Sequence, residues 1–359
     1  MSVRSVLTAA LAATIATGAP LAYLAASPAK APARATAAAA SAPAAATAPV
    51  ITDGWPRPMP ATGPDLVAHD PSMVRAADGR WYVFSTHDGI QVRSSADQKT
   101  WRREAPVFPD GTPLAKKYAG NAMEMWAPDV TKVATKAGPL YVLYYAASSF
   151  GSNNSAIGLA TSPTALPGSW TDRGQVFATT TADTINAIDP DLFVDPSGKA
   201  YLTFGSFWSG IAQIRLDPAT GKRIPGDTSA PTLLASRPDH PTHAIEAPSL
   251  VEHDGWYYLF TSFDYCCRNM ESSYRVMVGR ARSPQGPFVD RTGRAMLQGG
   301  GTQVVGTHDD IIGPGGEDIS FDDKGAQVVY HYYDGLNGGT PHLAINRLVL
   351  DAAGWPHLQ

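Results

Sequence analysis

Residues 188–204 read IDPDLFVDPSGKAYLTF, and this stretch decides the fold. It begins with an acidic residue beside a proline, continues with an apolar run, turns at Ser197-Gly198 and ends in a run that carries two aromatic residues. β-Branched and aromatic residues favour strands, and glycine permits the tight turn between them. The stretch therefore predicts two antiparallel strands joined by a short turn.

The same arrangement recurs along the chain, in segments that begin HDPSMV at 69, APDVTK at 127, IEAPSLV at 245 and GEDISF at 316. We align the repeats on their acidic residues, which are Asp70, Asp129, Asp189, Glu246 and Asp318, separated by 59, 60, 57 and 72 residues. An aromatic strand follows each acid after 11 or 12 residues, behind a turn that contains glycine. Regular repetition of this kind identifies one structural unit used five times.

The repeats predict an all-β protein, a five-bladed β-propeller, because each unit contains strands and no segment has a sustained helical period with caps. A solenoid is the alternative, but a period of 57–72 residues is long for one solenoid turn. The innermost strand of each propeller blade lines the central axis. We therefore expect the repeated acids to converge around one opening.

Composition narrows the classes of function. The net charge is −4 and the sequence has no basic run, which argues against a nucleic-acid partner. The 8 Trp, 14 Tyr and 11 Phe argue against disorder. We expect a monomer without stable membrane association.

The N-terminus has the features of a targeting segment. Arg4 precedes an apolar stretch over residues 6–26, which predicts a signal peptide at 1–26 and secretion, with a membrane anchor as the weaker alternative. Cleavage after Ala26 or after Ala31 fits equally. Residues 27–54 are rich in Ala and Pro and predict a linker, so that the folded domain comprises residues 55–359.

The chain has two cysteines, Cys266 and Cys267, and they are adjacent. Adjacent cysteines cannot join distant strands. They form either a vicinal disulfide or two small buried thiols, and no spacing with other residues indicates a zinc site.

Carboxylates that lie close together around the central opening of the propeller, which we call the funnel, raise one another's pKa values. A glycosidase needs this, since one carboxyl must remain protonated while another is ionised. Trp126, Phe150, Phe207 and Trp208 are aromatic residues that can stack on sugar rings. The alternative is that the acids only cap turns within the blades, which we favour for Asp129 and Asp318.

Longer strings carry a resemblance to glycoside hydrolase family 43. HDPS at 69, NAIDPDLF at 186 and IEAPSL at 245 resemble its three catalytic segments. Six further strings resemble the arabinan-degrading branch of this family. They are MWAPDV at 125, FGSNNSAIGLATS at 150, YLTFGSFWSGI at 201, SFDYCCRNMESSYRVMVGRARSPQGPFVD at 262, GPGG at 313 and YHYYDG at 330. The resemblance covers residues 64–356 and includes the adjacent cysteines, which are typical of that branch.

The resemblance implies a five-bladed propeller that hydrolyses the α-1,5-L-arabinofuranosidic bonds of arabinan with inversion, the activity of an arabinan endo-1,5-α-L-arabinosidase (EC 3.2.1.99). Its general base falls on Asp70, its pKa-modulating carboxylate on Asp189 and its general acid on Glu246. The implied partners are plant cell-wall arabinan or arabino-oligosaccharides. We expect Trp126 and Phe150 to stack on the sugar, and Asn186 and Ser206 to hydrogen-bond to it, although all four fit equally as ordinary wall residues.

The resemblance also raises the question of a metal. Relatives with GPGH hold one Ca²⁺ or Na⁺ at the propeller centre, whereas this chain has Gly316 in place of that histidine. Other relatives carry GPGG with a histidine a few residues earlier, as His308 stands here. His308 is therefore the predicted metal or polar contact. His331 is a second residue for a polar contact and fits better as a packed strand residue, and His69 would brace the base.

Three alternatives stay open at this level. The enzyme acts either within the polymer or from its end, as an exo-acting α-L-arabinofuranosidase. A β-xylosidase of the same family is another specificity. A non-catalytic sugar-binding propeller belongs to a different class, and the presence of all three carboxylates speaks against it.

Overall fold

The computed structural model describes residues 54–359. The predicted signal peptide and nearly all of the predicted linker lie outside these residues. Trp55 packs against the core shared by the last two blades. None of the helices within residues 54–359 has the length and apolar composition needed to cross a membrane.

Five antiparallel sheets follow one another along the chain and form a five-bladed β-propeller, as predicted. The first blade contains β1 (Ser72–Arg75), β2 (Trp81–Ser85), β3 (Gln91–Ser95) and β4 (Arg102–Glu104). The second contains β5 (Trp126–Thr135), β6 (Gly138–Ala147), β7 (Ser155–Ser162) and β8 (Thr171–Thr179). The helix α1 (Pro113–Tyr118) lies between them in sequence, and Thr112 caps its N-terminus.

The third blade has five strands, β9 (Asp191–Val194), β10 (Ala200–Phe204), β11 (Ile211–Asp217), β12 (Lys222–Arg223) and β13 (Thr232–Ala235). Both β12 and β13 pair with β11, so two short strands share the outer position. The fourth blade contains β14 (Ile245–His253), β15 (Trp256–Phe263), β16 (Arg275–Ala281) and β17 (Thr302–Val305). The fifth contains β18 (Ile311–Asp322), β19 (Gly325–Asp334), β20 (Thr340–Leu350) and β21 (Pro356–Leu358).

The ring closes between the first and fifth blades by packing and by the segment that precedes β1. Met73 and Val83 of the first blade share a buried apolar cluster with Val329, Leu343 and Ile345 of the fifth. The preceding segment also hydrogen-bonds to β20, through Met59 N to Ile345 O at 2.8 Å and Leu343 N to Leu66 O at 2.9 Å.

The innermost strands share a backbone feature at the axis. One residue of each blade has a φ between 40° and 59°, a left-handed conformation that L residues rarely adopt. These five residues are Asp70, Ala127, Asp189, Ala247 and Gly316. The register shifts near this point in β5, β14 and β18. Such bulges redirect side chains, and here they mark the true repeat position.

This position corrects our alignment of the acids. Only Asp70 and Asp189 occupy it, whereas Glu246 precedes it by one residue and Asp129 and Asp318 follow it by two. The five acids therefore do not form one ring. The spacing in the sequence suggested that the five acids occupy equivalent positions. An offset of one or two residues is small against a repeat of about sixty residues and cannot be recognised from the sequence.

The residue two positions after the left-handed one connects neighbouring blades. In every blade its side chain accepts a hydrogen bond from a backbone N–H of the next blade. The five donor–acceptor pairs are Val130 N to Ser72 Oγ (2.9 Å), Leu192 N to Asp129 Oδ2 (2.9 Å), Leu250 N to Asp191 Oδ2 (3.1 Å), Ile319 N to Ser249 Oγ (3.3 Å) and Met73 N to Asp318 Oδ2 (3.3 Å). We call these five acceptors the inter-blade ring. Asp129 and Asp318 thus act structurally, between blades and not within the turns of their own blades.

Candidate active site

A narrow cavity of about 30 Å³ lies on the propeller axis, at the level of the left-handed residues. Its carboxyl groups come from two levels, with Asp129, Asp191 and Asp318 of the inter-blade ring on one and Asp70, Asp189 and Glu317 on the other. Among the described residues that line it, none is Lys, Arg or His. These acids meet because each blade delivers its inner strand to the axis.

Asp70 is held as an anion by several donors. Its Oδ2 lies 2.8 Å from His69 Nδ1 and accepts a hydrogen bond of 2.8 Å from the Thr86 hydroxyl. Its backbone N–H donates to Nδ1 of the buried His331 at 3.1 Å. Burial alone raises the pKa of Asp70, but the charge and hydrogen bond of His69 and the further donors hold it well below its usual value. Asp70 is therefore ionised and aimed at the axis.

The pKa values of the two histidines beside Asp70 are shifted in opposite directions. Burial lowers the pKa of His69, yet the charge and hydrogen bond of Asp70 outweigh it and raise that pKa above the usual value. Burial and the neighbouring His69 hold the pKa of His331 well below its usual value, so this imidazole is neutral. The two rings stack with centroids 3.8 Å apart. His69 therefore pairs with the Asp70 carboxylate, and His331 holds the backbone N–H of Asp70.

Glu246 is only 7% exposed and is oriented by two hydroxyl groups. The Ser206 hydroxyl donates to its Oε2 at 2.5 Å, and the Tyr274 hydroxyl donates to its Oε1. Burial raises the pKa of Glu246, and the charge of Asp70 adds to this rise, although the two hydrogen bonds oppose it. A carboxyl group with a raised pKa can remain protonated near neutral pH and act as an acid.

Asp189 interacts electrostatically with both Glu246 and Asp70. Its Oδ2 accepts a hydrogen bond from Ala247 N at 3.1 Å, which ties it to the residue that follows Glu246. Burial raises its pKa well above the usual value, and the charges of Glu246 and Asp70 raise it further. Ionisation of Glu246 therefore opposes ionisation of Asp189, because two buried carboxylates cannot readily ionise together.

Glu317 is a fourth carboxyl group near the site that our sequence analysis missed. It is 4% exposed, its Oε2 accepts a hydrogen bond of 2.6 Å from Ser262, and its Oε1 is buried without a hydrogen-bond partner. Burial raises its pKa to about 8. The available signal was its position directly after the GPGG string. A neutral Glu317 adds no charge beside Asp70.

The four residues predicted to contact sugar differ in exposure and in hydrogen bonding. Phe150 is 84% exposed at the tip of the β6–β7 loop, and Trp126 is half-buried, with its indole N–H donating to Glu124 at 2.6 Å. Asn186 is buried and accepts a hydrogen bond of 2.7 Å from Ser155. Ser206 is also buried, and its hydroxyl donates to Glu246 and not into the open funnel. The structure thus assigns Ser206 to the acid, while sugar stacking by Trp126 and Phe150 stays a prediction.

His308 is not among the residues that line the axial cavity. Its Nδ1 contacts Gly306 O at 2.8 Å, its ring lies 5.8 Å from that of Trp55, and its Nε2 is buried without a partner. Within residues 54–359, no group of three metal-ligating side chains includes it. A first coordination shell built by protein atoms around His308 does not fit this arrangement. The predicted Ca²⁺ or Na⁺ therefore stays a prediction, and the mechanism below does not use it.

Cys266 and Cys267 form a vicinal disulfide, so the alternative of two buried thiols is wrong. The pair belongs to the β15–β16 loop, and Cys267 is exposed. This loop reaches the catalytic funnel, because Cys267 Sγ lies 3.6 Å from His69 Nε2.

Comparison with known proteins identifies the family of this chain. The family model described as glycosyl hydrolases family 43 matches residues 65–356. The extracellular endo-α-(1→5)-L-arabinanase 1 of Bacillus subtilis (strain 168) is 41% identical over 295 residues, which cover 80% of this chain and 86% of that protein.

Two solved structures are similar over the same region. The GH43 endo-arabinanase from Bacillus licheniformis superposes with a TM-score of 0.76 at 40% identity, covering 85% of this chain and 100% of that one. The exo-1,5-α-L-arabinanase from a bovine ruminal metagenomic library also gives 0.76, at 35% identity, covering 82% of this chain and 98% of that one.

Proposed function

The chain belongs to the glycosyl hydrolases family 43, and from this premise we propose that it is a secreted arabinanase that hydrolyses α-1,5-L-arabinofuranosidic bonds with inversion. One observation carries the assignment of roles. Asp70 is ionised, and Glu246 has a raised pKa to which the nearby charge of Asp70 contributes. Inverting hydrolysis needs this pair of protonation states.

The reaction uses both groups at once. Asp70 takes a proton from a water molecule, which attacks the anomeric carbon of the arabinofuranosyl residue. Glu246 gives its proton to the departing glycosidic oxygen, and the C–O bond breaks. Ser206 and Tyr274 keep the Glu246 carboxyl in one orientation, and Asp189 makes loss of its proton unfavourable until the leaving oxygen takes it.

The substrate assignment follows the relatives. The B. subtilis relative is named an extracellular endo-arabinanase, which supports linear arabinan or its oligosaccharides as substrate and supports export. Relatives named endo and exo match this chain with equal TM-scores, so the mode of attack depends on how the surrounding loops shape the funnel. A β-xylosidase is the weaker specificity, since these relatives are named for arabinan.

The test is digestion of debranched linear arabinan with product analysis. We expect oligosaccharides first from endo action, whereas arabinose or one short product from the start indicates exo action. First products should have inverted anomeric configuration by NMR. Turnover of aryl β-xylosides without turnover of arabinan would contradict the proposal, as would retained configuration.

Two variants separate the roles of base and acid. Asp70→Ala should lower kcat by about 10²-fold or more on every substrate, since general base catalysis supplies about that factor. Glu246→Gln should be slow on arabinan but much less affected on a 4-nitrophenyl arabino-oligosaccharide, whose leaving group needs no proton. Glu252→Gln, on the same strand β14, is the matched control and should retain activity. Equal losses on both substrates in Glu246→Gln would remove the acid role.

A further inference from the structure

A chain of short contacts connects the disulfide in the β15–β16 loop to the predicted base, Asp70. The Cys267 backbone N–H donates to the Tyr333 hydroxyl at 2.6 Å. The same hydroxyl lies 2.9 Å from His69 Nε2, and His69 Nδ1 lies 2.8 Å from Asp70 Oδ2. We call this chain of contacts, from Cys267 through Tyr333 and His69 to Asp70, the base relay.

Tyr333 suits a positioning role because its ring cannot move freely. It is 2% exposed, and its ring meets that of His331 edge-on with centroids 5.3 Å apart. Burial raises the pKa of its hydroxyl, so the group stays neutral. The hydroxyl oxygen can accept from both Cys267 N–H and a protonated His69 Nε2–H. It thereby fixes the plane of the imidazole that holds the base.

The Cys267 N–H has a defined direction because the surrounding loop is anchored. Asp264 N donates to Ala244 O at 3.1 Å, and Ser273 N donates to Tyr265 O at 2.8 Å. Between these anchors Cys267 has a φ of 66°, a left-handed conformation that an L residue rarely adopts without support. The bond to Cys266 and the hydrogen bond to Tyr333 supply that support. Loss of the S–S bond frees this peptide to leave the left-handed region.

We propose that the Cys266–Cys267 disulfide and Tyr333 are positioning elements for the general base, and that a dithiol reductant converts the hydrolase to a low-activity state. The inference rests on the proposed function for its activity readout. In the reaction, a thiolate of the reductant attacks one cysteine sulfur and the S–S bond breaks. The second thiolate of the reductant then releases the mixed disulfide. The reductant becomes a cyclic disulfide, and the two cysteines gain two electrons and two protons.

Several titratable groups surround the base relay and affect the pH dependence of kcat/KM. His69 and Asp70 are influenced by His331, Tyr333, Glu246, Asp189 and Glu317. Loosening of His69 removes a donor and a positive charge from Asp70. The acidic limb of the kcat/KM profile, which reports the base in the free enzyme, should then move to higher pH.

The experiment compares oxidised protein with protein reduced by dithiothreitol under native conditions, with two free thiols verified by labelling. We expect kcat on linear arabinan to fall about tenfold to 100-fold with little change in KM, because a small displacement of a reacting group has that effect. Air oxidation should restore the rate. Unchanged kcat and an unchanged acidic limb in the reduced protein would overturn the proposal.

Variants test whether the effect passes through Tyr333. Tyr333→Phe should lower kcat by itself, and reduction should then have a smaller effect than in the wild type, because only the direct contact of Cys267 Sγ with His69 Nε2 at 3.6 Å remains. Tyr332→Phe, the neighbouring residue on β19, should keep normal kcat and normal sensitivity to the reductant. A Cys266→Ser/Cys267→Ser double variant should match the reduced protein. Additive effects of reduction and Tyr333→Phe would refute the relay, and melting curves exclude unfolding as the cause of a loss.

A measurement without substrate separates the relay from the proposed function. The imidazole ¹⁵N signals of His69 should shift on reduction in the wild type and shift less in Tyr333→Phe, where only the direct contact with Cys267 Sγ remains. Shifted signals in a protein that does not cleave arabinan would leave the relay standing and remove the proposed function. Normal cleavage with unshifted signals would do the reverse.

Discussion

The replacement Asp191→Asn tests how the propeller tolerates acids on its axis. Asp191 is 6% exposed and its Oδ2 accepts a hydrogen bond from Leu250 N at 3.1 Å. Burial raises its pKa well above the usual value, and the charges of Asp129 and Asp318 raise it further. The folded protein therefore binds a proton here that the unfolded chain releases near pH 3.9.

The sign of the pH dependence follows from this difference. A raised pKa in the folded state stabilises the fold fully below the unfolded pKa, and the stabilisation is lost as pH rises toward the folded pKa. One retained proton lowers the free energy of unfolding by about 1.4 kcal/mol for each pH unit in that window. The loss accumulates over every pH unit between the unfolded pKa and the raised folded pKa.

Asparagine keeps an oxygen that can accept from Leu250 N–H and needs no proton. The variant should lose stability less steeply than the wild type, so its Tm relative to the wild type should rise by about 3 °C for each pH unit within that window. Calorimetry at several pH values within the window, with chelator present, measures this. Asp323→Asn is the control, because its side chain is 95% exposed in the β18–β19 turn and should show no such pH dependence. Parallel Tm curves for wild type and Asp191→Asn would refute the reasoning.

Two further outcomes follow from the site. Asp189→Asn removes the like charge beside Glu246 and keeps an acceptor for Ala247 N–H. The pKa of Glu246 should therefore fall, and the alkaline limb of the kcat/KM profile should move to lower pH. An equal loss of rate at every pH would instead assign Asp189 to orientation or direct contact. If an ion supports the site, exhaustive chelation should lower activity or Tm, and added Ca²⁺ should restore both. A matching loss in His308→Ala would place that ion at His308. A wild-type protein that is unaffected by chelator would leave His308 as a polar contact only.

The sequence alone determined the fold and the identities of the three central carboxyl groups. Strand and turn preferences are local, so five copies of one hairpin pattern predicted five blades. Asp70, Asp189 and Glu246 stood in strings specific enough to assign by resemblance. The adjacent cysteines were also visible, but their redox state was open, because a short separation in sequence does not decide whether two thiols bond.

Only the tertiary structure decided which side chains meet. The shared axial position emerged from backbone φ and bulges, which assigned Asp129 and Asp318 to the inter-blade ring and separated them from Asp70. The hydrogen bond from Ser206 to Glu246 was likewise not visible in the sequence, since the two residues lie on neighbouring blades. The contact of Tyr333 with His69 joins residues 264 positions apart and exists only once the ring has closed. Such contacts depend on how one blade is rotated against another, and no local pattern in the sequence encodes that angle.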